Sequence, residues 1–391
     1  MRRIHAFVLS LFFVSGALAP AVFAAGSRES ASAADPAPLR SLELRYTTGF
    51  SVDYFAGFKV VTVRTPWPGA TESFRYVLHA RGTPRPSDPR LSGARFIETP
   101  LRSVATFSTS YLPAIIALGK ADTVVGVDSA TFVYSPEIRA RVESGKAVEV
   151  TRNWMPDVER LIAIKPDAVF TYGMGNEWDT HPKLLEAGLP VILNGEWNET
   201  DPLGRAEWVK FIAAFYDEEA KASALFDRIS ADYLDVKARA AAATSPRPTV
   251  LVNGPFQGSW TVSGGRSFMA RLIADAGGDY LWSDDSGTGG LTLSVEAVFE
   301  RAREAKVWLN PALMPTTIRE VAALDPRFSG LPVVVAGEVW NNNRKLNKSG
   351  GNDYFENAVL RPDLVLVDLA KIFHPELFAD REFTWYRKMA K

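Results

Sequence analysis

Two glutamates stand in matching phrases far apart in the chain, Pro156-Asp-Val-Glu159-Arg-Leu and Leu293-Ser-Val-Glu296-Ala-Val. Each carboxylate falls in the first turn of an expected amphipathic helix, and each helix leads to an apolar strand, Asp167-Ala-Val-Phe or Lys306-Val-Trp-Leu. An acid in that position stabilises the positive end of a helix dipole by about 0.3–1 kcal/mol, which is reason enough for either one alone. Repetition of the whole setting predicts more: two similar lobes carrying equivalent acidic knobs, with Glu300 a competitor for the role of Glu296.

A second set of side chains could hold an organic molecule. Trp154, Tyr172, Trp178 and Trp197 fall in or beside loops of the first half, and Trp260, Arg266, Trp340, Arg344 and Lys345 in those of the second. Aromatic faces can cover a planar chelator, and Arg or Lys can pair with its carboxylates. Each Trp could equally pack a core, and Arg344 and Lys345 could lie in a solvated loop. Four His occur, at positions 5, 79, 181 and 374. A bare zinc or manganese site gathers several His and carboxylates, so these are too few. His374, before Pro375, reads as a packed side chain, and His181, after Asp179, as a candidate in a cleft-facing loop. Any metal is expected to arrive already wrapped in an organic chelator, with no metal site or cofactor of the protein's own. Catalytic signatures are missing: there is no nucleophile elbow, no Walker phosphate loop, and no third glycine after Gly173-Met-Gly175. The chain is therefore not read as an enzyme, an exported hydrolase being the rival class.

The elements that position these residues follow from composition and pattern. Met1-Arg2-Arg3, an apolar stretch from Ala6 to Val14 and Val22-Phe23-Ala24 make the three parts of a secretory signal, too short to span a bilayer. Cleavage after Ala24 would remove Arg2 and Arg3 and no acid, moving the formal charge from -1 to -3. That charge gives no case for nucleic acid or anionic lipid. Cysteine is absent, which removes disulfides, thiolate metal sites and a lipid-modified cysteine. The expectation is a monomeric periplasmic protein that is not lipid-anchored. The 367 residues that follow the signal exceed what one core usually supports.

The expected domains are a leader at 25–40, a β meander and connector at 41–100, an α/β lobe at 101–204, a helical connector at 205–243 and a second α/β lobe at 244–391. In the meander, Leu42 to Tyr46, Lys59 to Val63 and Phe74 to Leu78 alternate with period two. From Ser103 strands alternate with helices, which implies a mainly parallel sheet with ligand contacts in loops beyond the carboxyl ends of the strands. Those loops are 108–111, 128–134, 172–178 and 194–198. Helical spacing runs from Arg205 to Ala243 with a break near Asp217, and the piece from Glu218 to Ala242 would be about 37 Å long. The second alternating unit includes a strand at 333–336 and a terminal helix after Pro375, with a polar insertion at 341–353.

From about Arg102 onward the chain resembles the periplasmic solute-binding proteins of ABC importers for iron-siderophore complexes, haem and vitamin B12, the group with a rigid helical connector. The resemblance rests on Val104-Ala-Thr-Phe-Ser-Thr-Ser110, Leu118-Gly119, Val124-Val-Gly-Val127, the run from Val158 to Val169, Ala276-Gly-Gly278, Leu293-Ser-Val-Glu296 and the run from Phe373 to Phe378. It implies two α/β lobes joined by one long helix, a metal chelate held between them, and delivery to a membrane permease. In that family one Glu per lobe docks on arginine pockets of the permease, and Glu159 and Glu296 match those positions. Ferric siderophore, haem and corrinoid all stay open, and haem would find axial candidates in Tyr111, Tyr134 and Tyr172. A binding protein that senses or buffers its ligand without a transporter is a third reading, opposed by the two glutamates alone.

Overall fold

The computed structural model describes residues 37–391. The expected signal at 1–24 and most of the leader lie outside the described residues. From Pro38 on, the chain forms one unit containing three five-stranded sheets.

The first-lobe sheet runs in the order Val191–Leu193, Ala168–Thr171, Val104–Thr106, Val124–Val127, Val148–Glu149, with every pairing parallel. Parallel strands need crossovers, and the helices that supply them bury both faces of the sheet. Ala168–Thr171 is accordingly buried at every position. The crossovers include Leu112–Ala117, Pro136–Glu143, Val158–Ile164 and His181–Glu186. The second-lobe sheet repeats the plan as Asp279–Tyr280, Thr249–Val252, Val307–Leu309, Val339–Asn341, then an antiparallel edge, Arg387–Lys388.

Between them runs the helix Glu219–Ala241, whose 23 residues span about 34 Å at 1.5 Å per residue. Its buried stripe is Ala222, Phe226, Ile229, Tyr233, Val236 and Ala240, the three-and-four spacing of a helix with one apolar face. Lys221 Nζ donates to Leu118 O of the first lobe at 2.8 Å, while Tyr233 OH donates to Asp275 at 2.8 Å and Arg239 to Leu377 O at 2.7 Å in the second. Each end of the helix is thus tied to a different lobe. The expected fold class, two mainly parallel α/β lobes joined by one long helix with a small N-terminal sheet, is the fold observed.

In the N-terminal sheet, Arg40–Ser41, Phe50–Phe55, Phe58–Val63 and Phe74–Ala80 are antiparallel neighbours, and Arg95–Thr99 adds a parallel edge. The run from Leu42 to Tyr46, expected as a strand, is not one. Its end bonds to a side chain instead of a strand: the buried Glu207 carboxylate accepts the backbone N–H groups of Arg45, Tyr46 and Thr47 at 2.8–3.1 Å.

Two further expectations are corrected. Pro332–Ala336 is a helix, not a strand, with Pro332 at its first position and Gly337 leaving it at φ 79°. Proline fits the first turn and glycine the left-handed exit, and they outweigh the β-branched run between them. The last long helix is Pro362–Phe373 and lies before Pro375, not after it.

Candidate functional site

Because the strands that lead into the facing loops run parallel, their carboxyl ends present those loops on one side of each lobe. In the first lobe the strands ending at Thr106, Val127, Thr171 and Leu193 deliver Phe107, Asp128, Tyr172 and Asn194. In the second, Val307–Leu309 leads to Leu313 and Met314, and Val339–Asn341 to the segment 346–355. These loops face one another across a cavity of about 390 Å³, lined from the first lobe by Phe107, Ser108, Thr109, Asp128, Phe132 and Tyr172 and from the second by Leu313, Met314, Leu346, Gly350, Asn352 and Phe355. A side chamber of about 290 Å³ shares Ser108, Tyr172 and Phe355 with it and adds Ser110, Tyr111, Met174, Glu196, Trp197 and Arg205.

The walls are apolar and wet. Phe132, Tyr172, Met174, Leu313, Met314 and Phe355 line these spaces while remaining 42–65% exposed. Large apolar side chains left in water along two facing walls mark a surface that a ligand covers. Trp154, 82% exposed, lies 6.2 Å from the Phe132 ring and extends the aromatic wall. It occupies the left-handed region at φ 64°, on the tight turn between Thr151–Arg152 and Met155–Pro156.

Few charges reach the cleft. Among the lining residues Arg205 is the single basic one, and its Nε is 2.5 Å from Glu196, which also accepts from Ser110 Oγ at 2.9 Å. The Asp128 carboxyl is pushed up from its usual range by burial, partly offset by a hydrogen bond from the Thr151 hydroxyl. Burial likewise raises the Tyr172 phenol, with Asp128 and Asp179 adding to the effect. Asn352 Nδ2 and Trp197 Nε1 border the two spaces as buried donors with no partner among the described residues. The cleft can therefore grip an uncharged aromatic or aliphatic body and offer it a few hydrogen bonds.

The residues picked from the sequence separate into groups. Tyr172 and Trp197 line the cleft and Trp154 flanks it. Trp178 is 77% exposed on the same loop as Tyr172 but lines neither space. Trp260 is corrected to the core: it is fully buried, its Nε1 donates to Val252 O at 3.2 Å, and its ring stacks on Trp308 at 5.5 Å. Trp340 is also a packed side chain, 5.1 Å from Phe383 and donating to Glu338 at 3.3 Å. Arg266 and Arg344 are exposed outside the cleft lining, and Lys345 pairs with Asp353 at 3.5 Å. His181 is buried beside Trp67 at 5.7 Å, where desolvation lowers its pKa, and His374 bonds Ser245 at 2.8 Å. No group of metal-ligating side chains occurs among the described residues. Phe107, Phe132, Met174, Leu313, Met314 and Phe355 were not singled out from the sequence. Leu313-Met314 carried a usable signal, an apolar pair between Pro311 and Pro315 just beyond a strand.

Both glutamates are exposed. Glu159 follows the helix cap Asp157, and Glu296 follows the cap Ser294. The Glu296 carboxylate accepts from Arg327 at 3.0 Å, and its pKa is lowered by its own backbone N–H and by that guanidinium.

Two lobes on mainly parallel sheets, one long helix between them and a cleft where their loops meet define the two-lobed fold with a helical connector. The chain belongs to the periplasmic binding protein family, whose profile matches residues 104–341. An uncharacterized lipoprotein of Methanocaldococcus jannaschii is 28% identical over 305 residues, covering 75% of this chain and 70% of that protein. A second from the same organism is 26% identical, covering 77% of each. Among solved structures, a periplasmic heme binding protein from Pseudomonas aeruginosa has a TM-score of 0.54 at 19% identity, covering 70% of this chain and 93% of that one. An ABC-type Fe3+-hydroxamate transport system structure from Saccharomonospora viridis has a TM-score of 0.54 at 16% identity, covering 71% and 95%. The family resemblance read from the sequence is thereby established. The expectation that the protein is not lipid-anchored is overturned, since both relatives are lipoproteins by name. That expectation leaned on the absence of cysteine, which describes this chain's side chains and not how its relatives are held.

Proposed function

We propose that this protein is the substrate-binding component of an ABC importer and that it captures an organic metal chelate of low net charge, a ferric siderophore or similar iron complex, between its lobes. One observation carries the reading: six large apolar side chains stay 42–65% exposed on the facing walls of a cleft. Burying such a side chain fully is worth about 1.5–3 kcal/mol, so a ligand covering several of them needs no strong charge pairing. With the one lining arginine already paired to Glu196, a highly anionic complex would find no free cation there.

Haem or a corrinoid is the second reading, favoured by Tyr172, Met174 and Met314 on the cleft walls, since phenolate and thioether both serve as axial iron ligands. The names of the similar structures, one heme-binding and one linked to Fe3+-hydroxamate transport, fit both readings. Titration with ferric desferrioxamine B, haemin and cyanocobalamin, followed by tryptophan quenching, separates them. Saturable binding of none of the three would count against the proposal.

Glu159 and Glu296 are assigned to permease docking. Exposed ion pairs add little affinity individually but fix orientation and register. Glu296 is preorganised by Arg327, whereas Glu159 has no such partner among the described residues, so the two contacts are unequal. Charge reversal at either should impair uptake in cells while leaving ligand affinity unchanged; loss of affinity would return that residue to the fold or the site.

A further inference from the structure

We propose that Trp67, in the loop joining the strands Phe58–Val63 and Phe74–Ala80 of the N-terminal sheet, is a positioning residue for the ligand site, holding the 172–178 loop in the shape that presents Tyr172 and Met174 to the cleft. The inference rests on the cleft reading above. Trp67 itself is absent from the cleft lining, and its sheet precedes the family match at 104–341.

The geometry is a close approach of an indole to bare backbone. A Cβ placed on Gly173 would lie 2.6 Å from Trp67 Cε3, and one on Gly175 would lie 2.5 Å from Trp67 Cδ1. Contacts that short do not occur between real atoms, so the ring can rest there only because both residues are glycine. Gly175 also sits at φ 74°, where other residues are strained. The two glycines bracket Met174, and Tyr172 precedes the first. Asp179 fixes the loop by accepting the N–H groups of Met174 at 2.6 Å and Gly175 at 2.9 Å.

The same turn reaches the neighbouring loop. Thr65 O lies 2.7 Å from where a Gly195 Cβ would be, and Asn198 Nδ2 donates to it at 3.4 Å; Glu196 and Trp197 lie between. Pro66 and Pro68 flank Trp67, and proline fixes its own φ and restricts the residue before it. The turn is therefore stiff, and its sheet is anchored to the spine of the molecule through Glu207 and through Lys59 to Glu219 at 2.5 Å. A stiff wedge on a fixed base is suited to setting the shape of a glycine loop that would otherwise move.

Hydrogen exchange on the full chain without ligand tests this directly. Trp67→Ala should raise exchange of the Met174 and Gly175 amides at least about tenfold, a change of local opening free energy near 1.4 kcal/mol. Amides of Val169 and of the second-lobe sheet should stay as in wild type, and Trp67→Phe should restore part of the protection. Gly173→Ala, which pushes the ring from the other side, should reproduce the rise if the tryptophan variant does not fold. Affinity for ferric desferrioxamine B should fall about tenfold in Trp67→Ala, with the aromatic variant intermediate. Unchanged exchange at 172–178, or an equal rise throughout the first lobe, overturns the proposal. If wild type does not bind the chelate, the ligand assignment fails and the exchange result still decides the role of Trp67.

Discussion

Replacing Glu207 by Gln removes one charge and almost no volume. The carboxylate is fully buried, accepts three backbone N–H groups from Arg45, Tyr46 and Thr47, and receives Lys210 Nζ at 2.8 Å. Lys210 is itself buried, and it also donates to Glu43 O at 2.9 Å. A glutamine keeps one acceptor oxygen, so its amide must point either at the N–H groups or at the ammonium. Breaking one partner of a buried ion pair costs about 3–5 kcal/mol because the other charge stays uncompensated. With a urea slope of about 3 kcal/mol/M the midpoint should drop by roughly 1 to 2 M. The double variant Glu207→Gln with Lys210→Met should recover part of the loss, since the stranded ammonium is gone while the backbone donors remain short of acceptors. Urea melts followed by fluorescence measure both. A single variant within about 0.5 kcal/mol of wild type would refute the claim that this carboxylate anchors the N-terminal segment to the helix Pro202–Glu207 that precedes the connector.

Other outcomes follow from the same geometry. Tyr172→Ala and Phe355→Ala should each weaken chelate binding by about 1–3 kcal/mol, read by fluorescence titration, with little change in the urea midpoint because both side chains are already partly exposed. Asp368 is held at about 6 by burial, against the pull of the N–H groups of Thr384, Trp385 and Tyr386. Because the folded pKa lies above an unfolded value near 3.9, its contribution is fully present below pH 4 and is lost as pH rises to about 6, at most some 3 kcal/mol. The stability difference between wild type and Asp368→Asn should shrink across that window, and a difference that grows with pH would reverse the assignment. Small-angle scattering with and without chelate should give nearly equal radii, since a continuous helix tied into both lobes resists wide closure.

Much of this was legible because parallel sheets write themselves as apolar runs separated by helices. The strand Ala168–Thr171 and the connector stripe from Ala222 to Ala240 are visible as patterns, and the four first-lobe loops follow from where such strands end. The aromatic residues were harder, because a tryptophan in a loop and one in a core look alike in sequence. Trp260 sits on the strand Ser259–Ser263 of a three-stranded antiparallel sheet in the second half of the chain, its ring against Trp308, and is buried for that reason, whereas Trp154 is turned outward by a tight hairpin. The second-lobe wall was missed because Leu313, Met314 and Phe355 have no periodicity. That the run from Leu42 to Tyr46 is not a strand was not legible, because what holds its end, the Glu207 carboxylate, is about 160 residues away in the chain.

Native mass spectrometry with visible absorbance, on protein purified from its own cells, tests the central claim most directly. The account predicts a one-to-one adduct containing a metal chelate, coloured and released on unfolding, and much reduced in the Tyr172→Ala and Phe355→Ala double variant. A metal-free adduct such as a sugar or peptide, or a bare metal ion with no organic partner, would contradict it.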